Sequence, residues 1–440
     1  MWWTPWAIGC SVFRQILTAH LRSVPNVISS ACCAPRRFGT SPAVRRLSKP
    51  IAVQPAYDLS PLLALMGVGL LLALGPVLWV WRRQRHASPW RRQQALTVLT
   101  LFLTFDLIMF GAFTRLTDSG LGCPDWPGCY GQASPLAAHA PIAAAQSAMP
   151  TGPVTHGKAW IEMIHRYLAT GVGALILVAA LAAWRTHRSG ERDHAVPVVS
   201  PWWPTLTLVW VCVQGAFGAL TVTMKLFPAI VTLHLLGGIA LLALLGYQAA
   251  QYQQFAQGRS PVLIGSGLRQ LLVVTFVLLV LQVGLGGWVS TNYAVLACTD
   301  FPKCQGSWWP EMNFQQGFEF WRALGLTGAG EAVSFAALTA IHYVHRLMAL
   351  LVLGLLVVLA WRLHHLPDLR QSARWLAALA GLQLLTGLSN VVLGWPLLAA
   401  VMHTGGAAAL VLALTWLVTA SRAHAEVRLA HPPVANGISA

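Results

Sequence analysis

The chain has 440 residues, of which 56% are hydrophobic and only 10% are charged, and its formal net charge is +16. Soluble domains carry about 25% charged residues, so this composition excludes an ordinary soluble enzyme and indicates a polytopic membrane protein. Because the chain is so apolar, the excess of positive charge indicates that the arginine and lysine residues lie in loops on one side of a bilayer. It does not indicate a nucleic-acid partner.

Nine apolar runs are long enough to cross about 30 Å of hydrocarbon as helices. In chain order they cover residues 61–81, 94–115, 159–184, 204–224, 228–250, 270–291, 337–361, 375–394 and 397–419. The predicted fold is an all-α polytopic membrane protein with an eight-helix core, in which the run at 61–81 is an extra N-terminal span. The other eight runs are numbered here spans 1 to 8.

The first 60 residues form a basic N-terminal extension with seven basic residues and one acidic residue. If the extra span within 61–93 crosses the membrane, this arm lies outside, against the positive-inside rule. Two explanations stay open: a transit peptide, which the composition resembles, and a reading frame extended upstream of a start near Met66. We favour the second, in which residues 1–65 are absent from the mature protein.

Arginine residues concentrate in alternate loops. The segment before span 1, the 2–3, 4–5 and 6–7 loops and the C-terminal tail together hold fifteen basic and four acidic residues. The rest of the chain from span 1 onward holds seven basic and eight acidic residues. This asymmetry places the first set of loops and the C-terminus in the cytoplasm or matrix, and the long loops at 116–158 and 292–336 outside.

The chain contains an internal duplication. Residues 123–131 and 298–306 both read C-x-D-aromatic-P-x-C-x-G, and each is followed by a His-Arg pair that enters an apolar helix. A later histidine near paired glycines also recurs, each time 20 residues after a glutamine. These landmarks predict two similar four-helix bundles, at 94–250 and 270–420, related by a parallel pseudo-two-fold repeat.

Four histidines recur at matching positions, His165 and His234 in the first half and His345 and His403 in the second. Two imidazoles at similar depth on alternate helices of one bundle suit the two axial positions of a haem iron. The glycines near His234 and His403 would leave room for a macrocycle, although close helix packing also favours small residues. The sequence thus predicts two bis-histidine haem sites.

Two ionisable residues lie next to the first ligand of each half. Arg166 and Arg346 are candidates for contacts with haem propionates, and snorkelling to the interface is the alternative. Glu162 lies three residues before His165, on the same helix face. A carboxylate inside a membrane span is costly, so Glu162 is a candidate for a functional role. The alternative interpretation is an ion pair with Lys158 or Arg166 at the membrane interface.

The second half has His342 at the position that Glu162 holds in the first. A spare ligand, a proton carrier and a polar helix residue are all open roles for this histidine.

Each cysteine pair brackets five residues in an external loop, where disulfides persist. A structural disulfide is the simplest interpretation of each pair. A redox-active dithiol, or a cysteine that contacts substrate transiently, is the more specific functional alternative. A metal site is disfavoured because no histidine accompanies the cysteines at a suitable spacing.

In these motifs taken together, the chain resembles the heme A synthase family over residues 94–420. The resemblance rests on TRLTDSGLGCPDWPGCYG (114–131), EMIHRYLA (162–169), VTLHLLGG (231–238), the second C-x-D-x-P-x-C motif, VHRLMA (344–349) and VMHTGG (401–406). That family converts haem O into haem A by oxidising the C8 methyl to a formyl group.

The resemblance implies a role for each site residue. His165 and His234 would hold the substrate haem O, with Glu162 serving the chemistry beside it. His345 and His403 would hold a haem b cofactor that relays electrons. It also implies a disulfide between Cys123 and Cys129 and extends to a second between Cys298 and Cys304.

The resemblance further implies a bacterial cytoplasmic membrane, haem O from a haem O synthase and an electron donor whose identity the sequence does not give. Membrane lipid is a partner, nucleic acid is not, and a homo-oligomer is left open. The alternative functions are a b-type cytochrome for quinol-linked electron transfer, which would have no need for Glu162, and a transporter with parallel repeats.

Overall fold

The computed structural model describes residues 60–192 and 198–423. Within these two ranges the chain forms eleven α-helices: α1 (Ser60–Arg83), α2 (Pro89–Leu116), α3 (His139–Ala148), α4 (His156–Arg192), α5 (Trp202–Thr223), α6 (Pro228–Gln257), α7 (Ser266–Thr291), α8 (Phe314–Gly317), α9 (Phe335–His364), α10 (Arg370–Val392) and α11 (Leu397–Ala420). Two short strands, β1 (Val262–Ile264) and β2 (Ser421–Ala423), pair in parallel. The basic extension predicted at 1–60 lies outside the described residues, apart from Ser60.

Nine helices of the described chain, all except α3 and α8, are long and apolar enough to cross a membrane. They coincide with the nine predicted spans, so the all-α polytopic class and the extra N-terminal helix are confirmed. Several extend past the predicted apolar runs; α4 begins at His156 and ends at Arg192. This extension is expected because the hydrogen bonds of a helix continue where its side chains become polar.

The eight core helices pack as two closed rings of four. In the first ring, α2, α4, α5 and α6 contact one another in sequence, and α6 returns to α2; in the second, α7, α9, α10 and α11 do the same. Helix α6 packs against α11 between the rings, flanked by α2 against α11 and by α6 against α7. These contacts fit the two predicted bundles at 94–250 and 270–420, although the duplication itself stays a prediction.

At the interface between the rings, several glycines each receive a bulky side chain from the other ring, and two of these contacts are related to each other. Leu236 of α6 lies over Gly284 of α7, with a methyl carbon 3.5 Å from where a Cβ atom would be. Met109 of α2 lies over Gly405 of α11, with its sulfur 3.2 Å from such an atom. Because Leu236 and Gly405 each follow a predicted ligand histidine by two residues, the contacts occupy matching places in the two rings.

The strand pair lies at the end of the bundle opposite the two long loops, because β1 precedes the N-terminus of α7 and the second long loop follows its C-terminus. Beside the strands, Arg269 donates hydrogen bonds to the carbonyl oxygens of Val418 and Ser421, at 2.7 and 2.9 Å. These bonds tie the C-terminal end of α11 to the first turn of α7.

The extra helix α1 packs against α4 of the first ring. At their closest approach, a Cβ atom added to Gly69 would lie 2.7 Å from Thr170 Cβ and 2.8 Å from its carbonyl carbon. Near the start of α1, Leu65 joins a buried apolar cluster with Met163 of α4, Cys123 and Cys129. Helix α1 therefore supports both α4 and the cysteine loop that precedes it.

We expect Gly69→Leu to loosen α1 from α4, because overpacking of this kind costs about 1–3 kcal/mol. Gly67→Leu is the matched control, since nothing lies within 4 Å of a Cβ atom placed there. Thermal unfolding of the purified full chain in detergent should show a lower midpoint for Gly69→Leu alone. Equal thermal unfolding midpoints for the two variants would contradict close packing of α1 against α4 at Gly69.

Candidate functional site

Each of the four predicted ligand histidines faces a glycine on a neighbouring helix. The pairs are His165 with Gly111, His234 with Gly218, His345 with Gly286 and His403 with Gly387. A Cβ atom added at these glycines would lie 3.0 to 3.4 Å from the Cε1 atom of the imidazole, a spacing tighter than most real contacts. The absence of a side chain thus lets each ring lie close against the neighbouring helix.

The imidazoles are arranged as two pairs, one in each ring of helices. His165 lies in the neighbourhood of His234, and His345 lies in the neighbourhood of His403. All four side chains are half-buried. Two neighbouring imidazoles inside an apolar bundle fit the axial ligand set of a haem iron, which takes two neutral ring nitrogens.

The glycines that follow His234 and His403 by three residues make room for glutamine side chains. Gln214 lies against Gly237 and Gln383 lies against Gly406. Each glutamine donates from Nε2 to the backbone oxygen of the histidine on the facing helix; Gln383 does so at 3.0 Å. The space at these glycines is therefore occupied by a hydrogen-bonded side chain, which corrects the interpretation that it is left for a macrocycle.

Glu162 is buried, with 4% of its surface exposed. Its Oε1 atom accepts a hydrogen bond from Arg166, and its Oε2 atom accepts one of 2.8 Å from the backbone N–H of Cys123. Of the two ion-pair partners considered from the sequence, Arg166 is the one in contact. Lys158 donates instead to a loop carbonyl oxygen. The carboxylate thus joins α4 to the cysteine loop.

Arg166 and Arg346 both bind the cysteine loops through backbone carbonyl oxygens. These oxygens belong to Pro127 and Gly128 for Arg166, and to Cys298, Asp300 and Lys303 for Arg346. The distances run from 2.5 to 3.1 Å. Both guanidinium groups are therefore tied to protein, and their contact with haem propionates stays a prediction.

His342 takes the place of Glu162 in the second half. Its side chain is 4% exposed, and its Nε2 atom accepts a hydrogen bond of 3.3 Å from Arg346 Nε. The second half therefore has an imidazole where the first half has a carboxylate paired with arginine.

Both cysteine pairs form disulfides, Cys123–Cys129 and Cys298–Cys304. In each loop the aspartate of the motif accepts hydrogen bonds from two backbone N–H groups, those of Tyr130 and Gly131 for Asp125, and those of Gln305 and Gly306 for Asp300. The hydrogen bond from the backbone N–H of Gly306, followed by that from Gln305, holds the pKa of Asp300 below its usual value. The motif residues therefore close the loop.

Sequence reasoning missed the four glycines that face the histidines. A signal was present, since Q-x-x-x-G occurs at 214–218, 282–286 and 383–387, and each time the glycine faces a ligand histidine. The fourth glycine, Gly111, lacks the preceding glutamine. Only the crossing of the helices shows that it belongs to the same set.

The fold and the site together define a multi-pass helical membrane protein with one pair of neighbouring histidines in each ring of helices. The COX15-CtaA family, described as "Cytochrome oxidase assembly protein", matches residues 94–415. The chain therefore belongs to the COX15-CtaA family, and the resemblance noted in the sequence is confirmed.

Curated relatives of this chain carry the name "Heme A synthase". That of Shewanella oneidensis is 38% identical over 318 residues, which cover 72% of this chain and 92% of the relative. That of Halalkalibacterium halodurans is 28% identical over 306 residues, or 68% and 86% of the two chains. That of Rhizorhabdus wittichii is 25% identical over 354 residues, or 76% and 95%. The family match at 94–415 includes most or all of each of the eight core helices.

Proposed function

We propose that this chain is a heme A synthase, an oxidoreductase that converts the C8 methyl of haem O into the formyl group of haem A. The observation that carries the proposal is the pair of neighbouring histidines in each ring, in a chain 38% identical to a relative of that name. A methyl group of this kind needs an oxidant stronger than any side chain, and haem iron with oxygen supplies such chemistry when bound.

In this proposal the two rings have different tasks. His165 and His234 hold the substrate haem O in the first ring, and His345 and His403 hold a haem b cofactor in the second. The support for this division is the difference between the rings. Glu162 places an ionisable carboxylate beside the first pair, whereas the matching position beside the second pair is an imidazole bound to arginine.

Glu162 is the catalytic candidate because its carboxylate is buried and held at both oxygens. Oxidation of a methyl group releases protons, and a fixed carboxylate next to the substrate can accept one and pass it outward. Arg166 fixes the carboxylate and the cysteine loop at once. The loop, closed by its disulfide, covers this end of α4 and excludes water from the site.

The charge asymmetry supports an orientation with the C-terminus in the cytoplasm and the disulfide loops outside. Since the relatives named above come from bacteria, we place the chain in the bacterial cytoplasmic membrane. Haem O, made by a haem O synthase, has a long apolar tail and would enter from the lipid. The reaction also needs an electron donor, and a homo-oligomer is compatible with this arrangement.

Pigment extraction from purified protein tests the proposed function. We expect chromatography to show haem b together with haem O or haem A. Haem b without either of the other two would support the b-type electron-transfer cytochrome instead. Protein without any haem would contradict both haem-based functions and favour the transporter.

A further inference from the structure

The turn between α1 and α2 is strongly basic, and no acidic residue occurs from Ser60 to Phe105. Its five basic residues are Arg82, Arg83, Arg85, Arg91 and Arg92. In the orientation proposed above, this turn lies at the cytoplasmic surface of the membrane. The positive-inside rule alone accounts for arginines there, but it requires no particular shape of the protein surface beside them.

One of these arginines closes the turn itself. Arg92 donates hydrogen bonds to the carbonyl oxygens of Gln84 and Arg85, at 2.9 and 2.6 Å. The side chains of Arg82 and Arg83, in contrast, are exposed and have no hydrogen-bond or ion-pair partner among the residues that the structure describes. These two guanidinium groups at the end of α1 are therefore available to an anion.

Two grooves adjoin at the same end of α1. The first has a volume of about 670 Å³ and lies between α1 and α2, where Val98, Leu99 and Phe102 form its apolar wall. The second has a volume of about 430 Å³ and lies on α1 over Gly75, where no atom is within 4 Å of an added Cβ atom. Trp79 and Arg83 line both grooves, and Arg82 lines the second.

We propose that the cytoplasmic end of α1 binds an anionic phospholipid. Its phosphate contacts Arg82 and Arg83, and its two acyl chains lie in the two grooves that adjoin at Trp79. Basic pockets between membrane helices on the cytoplasmic side bind anionic headgroups of this kind. Two apolar grooves that adjoin at a pair of arginines also match two acyl chains that join at one headgroup.

This lipid site is independent of the proposed haem chemistry. Helix α1, which supplies both arginines and Trp79, ends at Arg83, before the family match begins at residue 94. The same helix packs against α4, which carries His165. A lipid bound between α1 and α2 would therefore join the extra helix to the first ring.

Native mass spectrometry of the purified full chain in detergent tests the site. The probes are dioleoyl phosphatidylglycerol and dioleoyl phosphatidylcholine, which have the same acyl chains and differ in headgroup charge. We expect the anionic lipid to bind more tightly. Because each arginine near an anionic headgroup strengthens binding about 5-fold, Arg82→Gln combined with Arg83→Gln should weaken binding of phosphatidylglycerol by about 30-fold. The three arginines that remain on the turn preserve the orientation of the helices.

Two matched controls separate the site from general effects. Arg362→Gln combined with Arg374→Gln removes the same charge from the loop between α9 and α10, on the same side of the membrane, and should leave the affinity unchanged. Gly75→Trp should fill the second groove and weaken binding of both lipids. Gly67→Trp, about two turns earlier on α1, should not, although a Cβ atom there also has nothing within 4 Å.

Several outcomes would overturn the lipid site. One is equal affinity of the unchanged protein for the two lipids. Another is an Arg82 and Arg83 variant that binds phosphatidylglycerol as tightly as unchanged protein, or no more weakly than the Arg362 and Arg374 variant. Equal lipid binding by Gly75→Trp and Gly67→Trp would contradict the placement of the acyl chains. If Gly75→Trp does not fold, the two arginine variants decide.

Discussion

Replacing His345 by alanine should strip haem b from the second ring while the first ring keeps its haem, so that extracts of the purified variant lack haem b. The reason is the loss of one of two axial ligands, since His345 faces Gly286 and is paired with His403. Haem A should fall to background as well, because the electrons that drive the oxidation pass through this site in the proposed function.

His342→Ala is the matched control, because His342 lies one turn away on the same helix. Its Nε2 atom is bound to Arg346, so it should not replace the ligand. We therefore expect His342→Ala to keep its haem b. Loss of haem b in His342→Ala together with normal haem b in His345→Ala would exchange the assignments of the two histidines.

The second large effect is expected from Glu162→Gln. The amide oxygen still accepts a hydrogen bond from Arg166 or from Cys123, but the group no longer takes up a proton. Haem O should remain bound while haem A formation falls by about 100-fold or more, as is typical when a general acid or base is removed. The measurement is the ratio of haem A to haem O in extracts of cells that express the variant.

A double variant separates this role from simple charge balance. Glu162→Gln alone leaves Arg166 buried without its counter-ion, and breaking a buried pair in this way costs about 3–5 kcal/mol. Glu162→Gln combined with Arg166→Gln removes both charges and should recover the stability lost through the unpaired charge, although the bonds from Arg166 to Pro127 and Gly128 stay lost. The comparison is therefore with Arg166→Gln alone: if Glu162 only neutralises Arg166, haem A in the double variant equals that in Arg166→Gln, and if Glu162 handles a proton, haem A is lower in the double variant.

The membrane architecture was predictable because crossing a bilayer demands a long apolar run, and that demand is local in sequence. All nine spans follow from it. The short helices α3 and α8 were not predicted, since they lie in loops where no apolar run or strong periodicity marks them. The positions of the four histidines followed from repetition along the chain, a property that requires no knowledge of packing.

The surroundings of those histidines could not be predicted in the same way. That Gly111 faces His165, or that Gln214 fills the space at Gly237, depends on where two helices cross. The guanidinium group of Arg166 similarly finds loop carbonyl oxygens that lie 38 and 39 residues away in the chain. Side-chain partners of this kind are set by tertiary packing, and a single sequence does not specify them.

The paired contacts of Leu236 over Gly284 and Met109 over Gly405 affect which halves can associate. If two first halves met through this surface, Met109 would collide with Leu236, because both are bulky. If two second halves met, Gly284 would face Gly405 and leave a void, which is also unfavourable. Only the unlike pairing places one large side chain on one glycine at each contact. If the two halves are related by the predicted repeat, these two contacts favour the pairing of a first half with a second half, also in domain exchange between copies of the chain.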